Sequence, residues 1–362
     1  MEVAYLKKNS QMHFFLASNS PRGFSSKFDF LDENLLKNWK CHIIKGGPGC
    51  GKSTLIRKIS EIGIKNKIET YFIHCASDPD SLDGIIFPGL NLCYIDGTSP
   101  HVVDPFYPGI SGNIIDIGKF KDFKFLNNKE KIIKLFKANR KLITQAQKYL
   151  ASFGIVSSDT IESIVDSVNF EKIKNFSNKI AKKIFNKPLL KDSNNFTMFA
   201  SSVGPNGVVF FEENFLYSNL YEISDNYGLI SDILFRYIKN IAFDYGYNTI
   251  QCLNPLTLNE RIECLFIPET NTVLFASNEW QNSKLKIKSK KIESSEFYNK
   301  KVKESTFNKK TKNLLILESV KIMNKARKIY NDLENIYCSS LDLEYINNIT
   351  NILIEDLKIL SQ

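Results

Sequence analysis

The sequence predicts an α/β chain written twice, each copy a strand-and-helix core followed by a long helical segment. Three observations carry this. Residues 41–59, CHIIKGGPGCGKSTLIRKI, pass from an apolar strand through a glycine-rich loop into an amphipathic helix. Several short stretches recur in the same order about half a chain apart. Two segments, about 121–190 and about 292–362, space apolar residues at helical intervals, as in Ile132, Ile133, Leu135, Phe136, Leu142 and Ile143.

A chain of 362 residues and 41.5 kDa has room for two cores, and 43% hydrophobic with 24% charged residues is an ordinary globular balance. Collagenous, mucin-like and broadly disordered classes are excluded. No run approaches the ~18–20 apolar residues of a membrane span. The opening MEVAYLKKNSQMHFF lacks the apolar core and cleavage site of a secretory signal. Seven cysteines (41, 50, 75, 93, 252, 264, 338) form no CxxC pair, which predicts reduced thiols in a cytoplasmic protein; the lack of a long apolar run predicts no membrane partner. The net charge of +9 comes mostly from lysine, with arginine only at 22, 57, 140, 236, 261 and 327. Lysine recurs throughout the chain and recognises nucleic acid less aptly than arginine, so nucleic acid is not expected as the main ligand.

In the first copy, a hairpin region (Phe14–Phe28) precedes the strand Cys41–Lys45. Gly46, Gly47, Pro48, Gly49, Cys50, Gly51, Lys52 and Ser53 then match G-x-x-x-x-G-K-[ST] without a mismatch. The helix continues through Thr54 with apolar Leu55, Ile56 and Ile59. Strand, loop and helix together predict a P-loop NTPase-type parallel sheet. Backbone N–H groups would wrap a β-phosphate, and the helix N-terminus adds partial positive charge. Lys52 would bridge the β- and γ-phosphates, and the Ser53 hydroxyl would ligate Mg²⁺. ATP is the expected nucleotide; no N-K-x-D-like guanine reader stands out, and GTP stays open.

Asn91–Asp96 is an apolar run ending in an acid, which makes Asp96 the second expected metal-holding residue. Gly97 stands where a catalytic glutamate commonly follows, so the sequence argues more firmly for binding than for hydrolysis. Between these motifs, the strand Tyr71–Ile73 leads into Asp78, Asp80 and Asp83, read as a loop at the strand's C-terminal edge beside the phosphates. Asp78 and Asp83 join Asp96 as catalytic candidates; the alternative is a turn and a helix cap. His74, Cys75 and His101 follow no zinc spacing. Cys50 occupies a variable position of the loop.

The second copy repeats the plan. Phe15–Asn19 with Pro21 and Gly23 recurs as Phe199–Ser202 with Pro205 and Gly207; Leu55–Ile59 as Leu234–Ile238; Ile85–Pro88 as Leu265–Pro268; and Ala146–Tyr149 as Ala326–Ile329. His74–Pro79 recurs loosely as Gln251–Pro255. The counterpart of the P-loop is ISDNYGLISDILFRYI, residues 223–238, where Ser231 falls at Lys52, Asp232 at Ser53 and Ala276 at Asp96. With the lysine gone and an acid present, the second copy (191–362) reads as a pseudo-site and the first (1–190) as the active one. NSKLKIKSKKIESS, ending at Ser295, replaces DGTSPHVVDPFYPG and suits an exposed edge strand or a basic flap.

FLASNSPRGF, IIKGGPGCGKSTLIRKI, HCASDPDSLDG and DGTSPHVVDPFYPG together resemble a family of tandem P-loop, ATPase-like proteins from low-GC Gram-positive bacteria, described only as ATP-binding or nucleotide-kinase-like. The resemblance spans essentially the whole chain. It implies that Lys52, Ser53, Asp78, Asp83, Asp96, His101 and Asp104 surround the first site. Members often keep a second P-loop, and this chain departs from that. Three activities follow as expectations: an ATPase or nucleotide-driven switch, a phosphotransferase to a small-molecule acceptor, or a non-hydrolysing sensor. Arg22 or Arg140 is the candidate arginine finger. No feature names a protein partner.

Overall fold

The computed structural model describes residues 11–28, 39–105, 107–189, 191, 193, 195–215, 219–280 and 289–360. The first copy runs β1 (Gln11–Phe14), β2 (Ala17–Ser20), β3 (Gly23–Ser26), β4 (Lys40–Lys45), α1 (Lys52–Lys65), β5 (Thr70–Cys75), β6 (Asp78–Phe87), β7 (Leu92–Asp96), β8 (Ile114–Asp116), α2 (Lys129–Ile164) and α3 (Phe170–Ile184). The second repeats that order as β9 (Asn195–Met198), β10 (Ser201–Gly204), β11 (Gly207–Phe210), β12 (Asn219–Ser224), α4 (Leu229–Asp244), β13 (Thr249–Leu253), β14 (Ile262–Ile267), β15 (Thr272–Ser277), β16 (Lys290–Glu293), α5 (Thr306–Cys338) and α6 (Leu343–Leu360). The six-stranded sheets have orders β1-β5-β6-β7-β4-β8 and β9-β13-β14-β15-β12-β16, which are the same order element for element. The duplication is therefore carried by topology as well as by sequence.

The expected parallel sheet is corrected to a mixed one. β6 runs antiparallel to both β5 and β7, and β14 does the same between β13 and β15. The physical reason is chain length. Only Ala76 and Ser77 separate β5 from β6, and a two-residue link can close a hairpin but not a parallel crossover. The expected Asp-rich loop is consequently the first half of β6. Register also moves one repeat: Ile73 pairs with Gly84 and His74 with Leu82, as Cys252 pairs with Cys264 and Leu253 with Ile262, so His74 corresponds to Leu253 rather than Gln251. The hairpins are narrower than the expected regions, with β1 and β9 joining the large sheets.

Strand alternation sets the layers. On β4, Cys41 and Ile43 point into a core shared with Cys252, Cys264, Phe266 and Val273 of the other sheet. Ile44 points the other way, onto Leu55, Ile56 and Ile59 of α1. The two sheets thus face each other, each with helices on its outer side. Those outer helices are exchanged: Leu353 and Leu357 of α6 lie on the α1 side of the first sheet, while Ile173, Ile180 and Ile184 of α3 pack with Leu234, Phe235 and Ile238 of α4.

The long helices α2 and α5 pair antiparallel. Asn139 donates to the Ala326 carbonyl at 2.8 Å, and Ser319 donates to the Ala146 carbonyl at 3.0 Å, a symmetric pair that matches Ala146 to Ala326. The two hairpin regions meet where Phe15 and Phe199 exchange backbone hydrogen bonds of 2.9 Å. At a separate contact, Gly204 at the end of β10 lies against the link between β5 and β6, where a Cβ would collide with the Ala76 carbonyl oxygen. Lys290–Glu293 forms an edge strand on β12; residues 281–288 of the basic stretch lie outside the described residues. Among the described residues no helix is long and apolar enough to cross a membrane. All seven cysteines are free.

Candidate nucleotide and metal site

The loop between β4 and α1 spans residues 46–51. Gly49 and Gly51 have φ of 68° and 85°, a region glycine enters without a Cβ penalty. Lys52 turns back over the loop, its Nζ donating to the carbonyls of Gly46 and Gly47 at 3.0 Å each. The same ammonium lies 3.6 Å from Asp96 Oδ2 at the end of β7, which pairs parallel with β4. Asp96 Oδ1 accepts from the Thr98 N–H at 2.9 Å and the Thr98 hydroxyl at 2.6 Å, so its carboxylate is fixed in place. The Ser53 hydroxyl accepts from the Leu82 N–H at 2.8 Å, tying the first turn of α1 to β6. Thr54 follows it in that first turn of α1.

Asp83 reaches the site through a backbone irregularity. Because Ile73 pairs with Gly84 and His74 with Leu82, Asp83 is the extra residue of a β-bulge, a device that re-aims a side chain. Its carboxyl is buried. Burial first, and then the charge of Asp96, push its pKa up to about 7. His101 closes the same corner. Its ring stacks on Phe28 with centroids 4.7 Å apart, and burial lowers its pKa. Asp83, Asp96 and His101 each offer a ligand atom within 4.8 Å of the others.

Gly97 has no room for the glutamate the sequence lacks: a Cβ there would collide with Ile43 and come within 2.7 Å of the Val103 carbonyl oxygen. Asp104 sits at the edge instead, paired with Lys45 at 2.8 Å and largely exposed. Cys50 is buried in the loop and its thiol is pushed up by that burial, which makes it unreactive. Asp80 is exposed and contributes its carbonyl, not its carboxylate, to Arg57.

Sequence reasoning missed the far wall, because it comes from the other copy. Helix α5 lies across the loop: a Cβ on Gly49 would stand 2.7 Å from Cys338 Sγ, and one on Gly47 3.6 Å from the Tyr337 ring. Arg327 of α5 pairs with Asp78 Oδ2 at 2.7 Å and lies 3.8 Å from Glu334. Arg22 and Arg140, the expected fingers, are exposed on the β2–β3 turn and on α2. The arginine at this site is Arg327. A signal was present in the sequence only as one of six arginines.

The second copy answers differently at the same place. Counted from β4 and β12, the two loop-helix segments have equal length, but α4 begins two residues earlier and consumes the end of the loop. The carboxylate of Asp225, 1% exposed, fills the helix N-terminus: it accepts from the Ser231 N–H at 2.9 Å, the Ser231 hydroxyl at 3.0 Å and the Tyr227 N–H at 3.1 Å. A side chain of the chain itself thus takes the position an anion would take. Asp232, the acid singled out from sequence, pairs with Arg236 and accepts from the Ile262 N–H. A solvent-open cleft borders this copy, between Ser157 and Thr160 of α2 and Gly228, Arg261 and Trp280. The first copy's loop is roofed by α5. Searches against protein-family models, curated proteins and solved structures give no match for this chain.

Proposed function

We propose that the first copy binds a nucleoside triphosphate, ATP by preference, and works as a slow ATPase or nucleotide-driven switch, the second copy being a pseudo-site. The observation that carries this is Lys52, held between the loop carbonyls of Gly46 and Gly47 and the carboxylate of Asp96 in a glycine loop ahead of a helix. These carbonyl contacts are ones the ammonium gives up for phosphate oxygens. Mg²⁺ entering with the nucleotide fits Ser53, whose oxygen accepts one hydrogen bond among the described residues, and Asp96; it would neutralise phosphate charge.

The switch reading rests on α5. Phosphates seated in the loop meet Arg327, which Asp78 and Glu334 hold in reserve, so nucleotide state is felt by a helix of the other copy. The family resemblance supports nucleotide binding and does not choose among the activities. A phosphotransferase is the second reading, favoured by Asp78 and Asp83 bordering the same loop as Lys52; it requires an acceptor before ATP is consumed. The test is calorimetric titration of a non-hydrolysable Mg-ATP analogue. One site per chain, abolished by Lys52→Ala, is expected. Two sites, or binding that survives the substitution, would overturn the assignment.

A further inference from the structure

His101 presents an imbalance that the nucleotide reading leaves unused. It is 8% exposed, and neither Nδ1 nor Nε2 has a hydrogen-bond partner among the described residues. A buried imidazole without a partner is costly, because its ring nitrogens have given up water and gained nothing in return. Its nearest carboxylate oxygen, Asp83 Oδ2, is 4.0 Å from Nε2, beyond hydrogen-bond reach. Phe28 holds the ring by stacking, so the ring is oriented while its nitrogens are left open.

We propose that Asp83, Asp96 and His101 form a buried site for one divalent first-row transition ion, taken in preference to Mg²⁺. One oxygen from each carboxylate and one ring nitrogen lie within 4.8 Å of one another. Ligand atoms bound at about 2.1 Å to one ion stand roughly 3–4 Å apart, so the set closes on a cation by small side-chain movements. The bulge at Asp83 supplies that aim, which a regular strand would turn toward the opposite face.

Ligand chemistry selects the ion. Mg²⁺ is served by oxygen ligands and retained water, whereas an imidazole favours Mn²⁺ through Zn²⁺. Charge is favourable as well. Two carboxylates and the Lys52 ammonium sum to one negative charge, and a divalent ion leaves one positive charge facing the glycine loop. The site adjoins the nucleotide reading and does not rest on it, since its three ligands are present without nucleotide.

The test uses the nucleotide-free full chain titrated with Mn²⁺ and read by electron paramagnetic resonance. One Mn²⁺ per chain is expected, with ¹⁴N coupling to the bound ion and retention against about tenfold excess Mg²⁺. His101→Gln should weaken binding about tenfold or more and abolish the nitrogen coupling. Asp83→Asn should weaken it without removing the coupling, which keeps the test usable if the histidine variant does not fold. Lys52→Ala should lose nucleotide and keep Mn²⁺, separating this site from the nucleotide assignment. Absence of binding, absence of nitrogen coupling, or affinity indifferent to both ligand variants would mean that His101 faces only a buried water and would overturn the site.

Discussion

At the scale of single residues, burial of ionisable groups decides more than charge count. His74 shows it outside the loop. Its Nδ1 lies 2.6 Å from the Pro79 carbonyl and its Nε2 2.9 Å from His13 Nδ1. Burial lowers its pKa to about 4, from 6.5 in the unfolded chain. The folded state therefore resists a proton that the unfolded chain accepts. No penalty exists above pH 6.5, it grows as pH falls, and it is complete below about pH 4, reaching on the order of 3 kcal/mol. Burial lowers His13 as well, so the two act in the same direction. Thermal melts between about pH 7.5 and 4.5 should show stability falling over that window, and His74→Gln should flatten the fall. A wild-type melting temperature unchanged over that range would contradict this account.

At the scale of elements, α5 links the copies chemically. Its Arg327–Asp78 pair is partly exposed, so the contribution to stability is small, about 1 kcal/mol or less. Its position matters more, because Asp78 opens β6 and Leu82 on the same strand is tied to Ser53. If Arg327 moves onto phosphate during the reaction, Arg327→Ala should lower turnover about tenfold or more while changing nucleotide affinity only a few-fold. Single-turnover rates beside calorimetry would separate the two. Equal losses in both would make Arg327 an ordinary binding residue. The glycine beneath α5 acts through its backbone instead. Gly49 combines a φ of 68° with the close approach of Glu334 and Cys338, so its conformation and its contact both exclude a side chain.

At the scale of the whole molecule, the copies are not separable bodies. Each sheet buries its inner face against the other, and each copy gives its last helix to its neighbour. A fragment ending at residue 190 would leave Met12, Phe14, Cys41 and Ile43 against water, with α1 lacking α6. Such exposure of a core costs far more than a domain's net stability of about 5–15 kcal/mol. Residues 1–190 and 191–362 made separately should therefore show no cooperative unfolding transition, and mixing or co-expressing them should restore one. A cooperative melt of either half alone would contradict the shared core.

Much of this was legible along the chain because its causes are local. Glycine at 49 and 51, a lysine at 52 and an apolar run ending at Asp96 fix backbone and chemistry within a few residues, and the repeat fixes the order of elements. Tertiary structure decided what depends on residues far apart. The two-residue link after Cys75 turned a parallel sheet into a mixed one, and pairing register made Asp83 a bulge. Packing of α5 across the first copy's loop brought Arg327 to Asp78 across 249 positions. Burial left His101 without partners among the described residues and let Asp225 fill its own anion position. Sequence periodicity specifies which face of an element is apolar; which distant face covers it, and which polar groups are thereby cut off from water, is settled only when the two sheets close together.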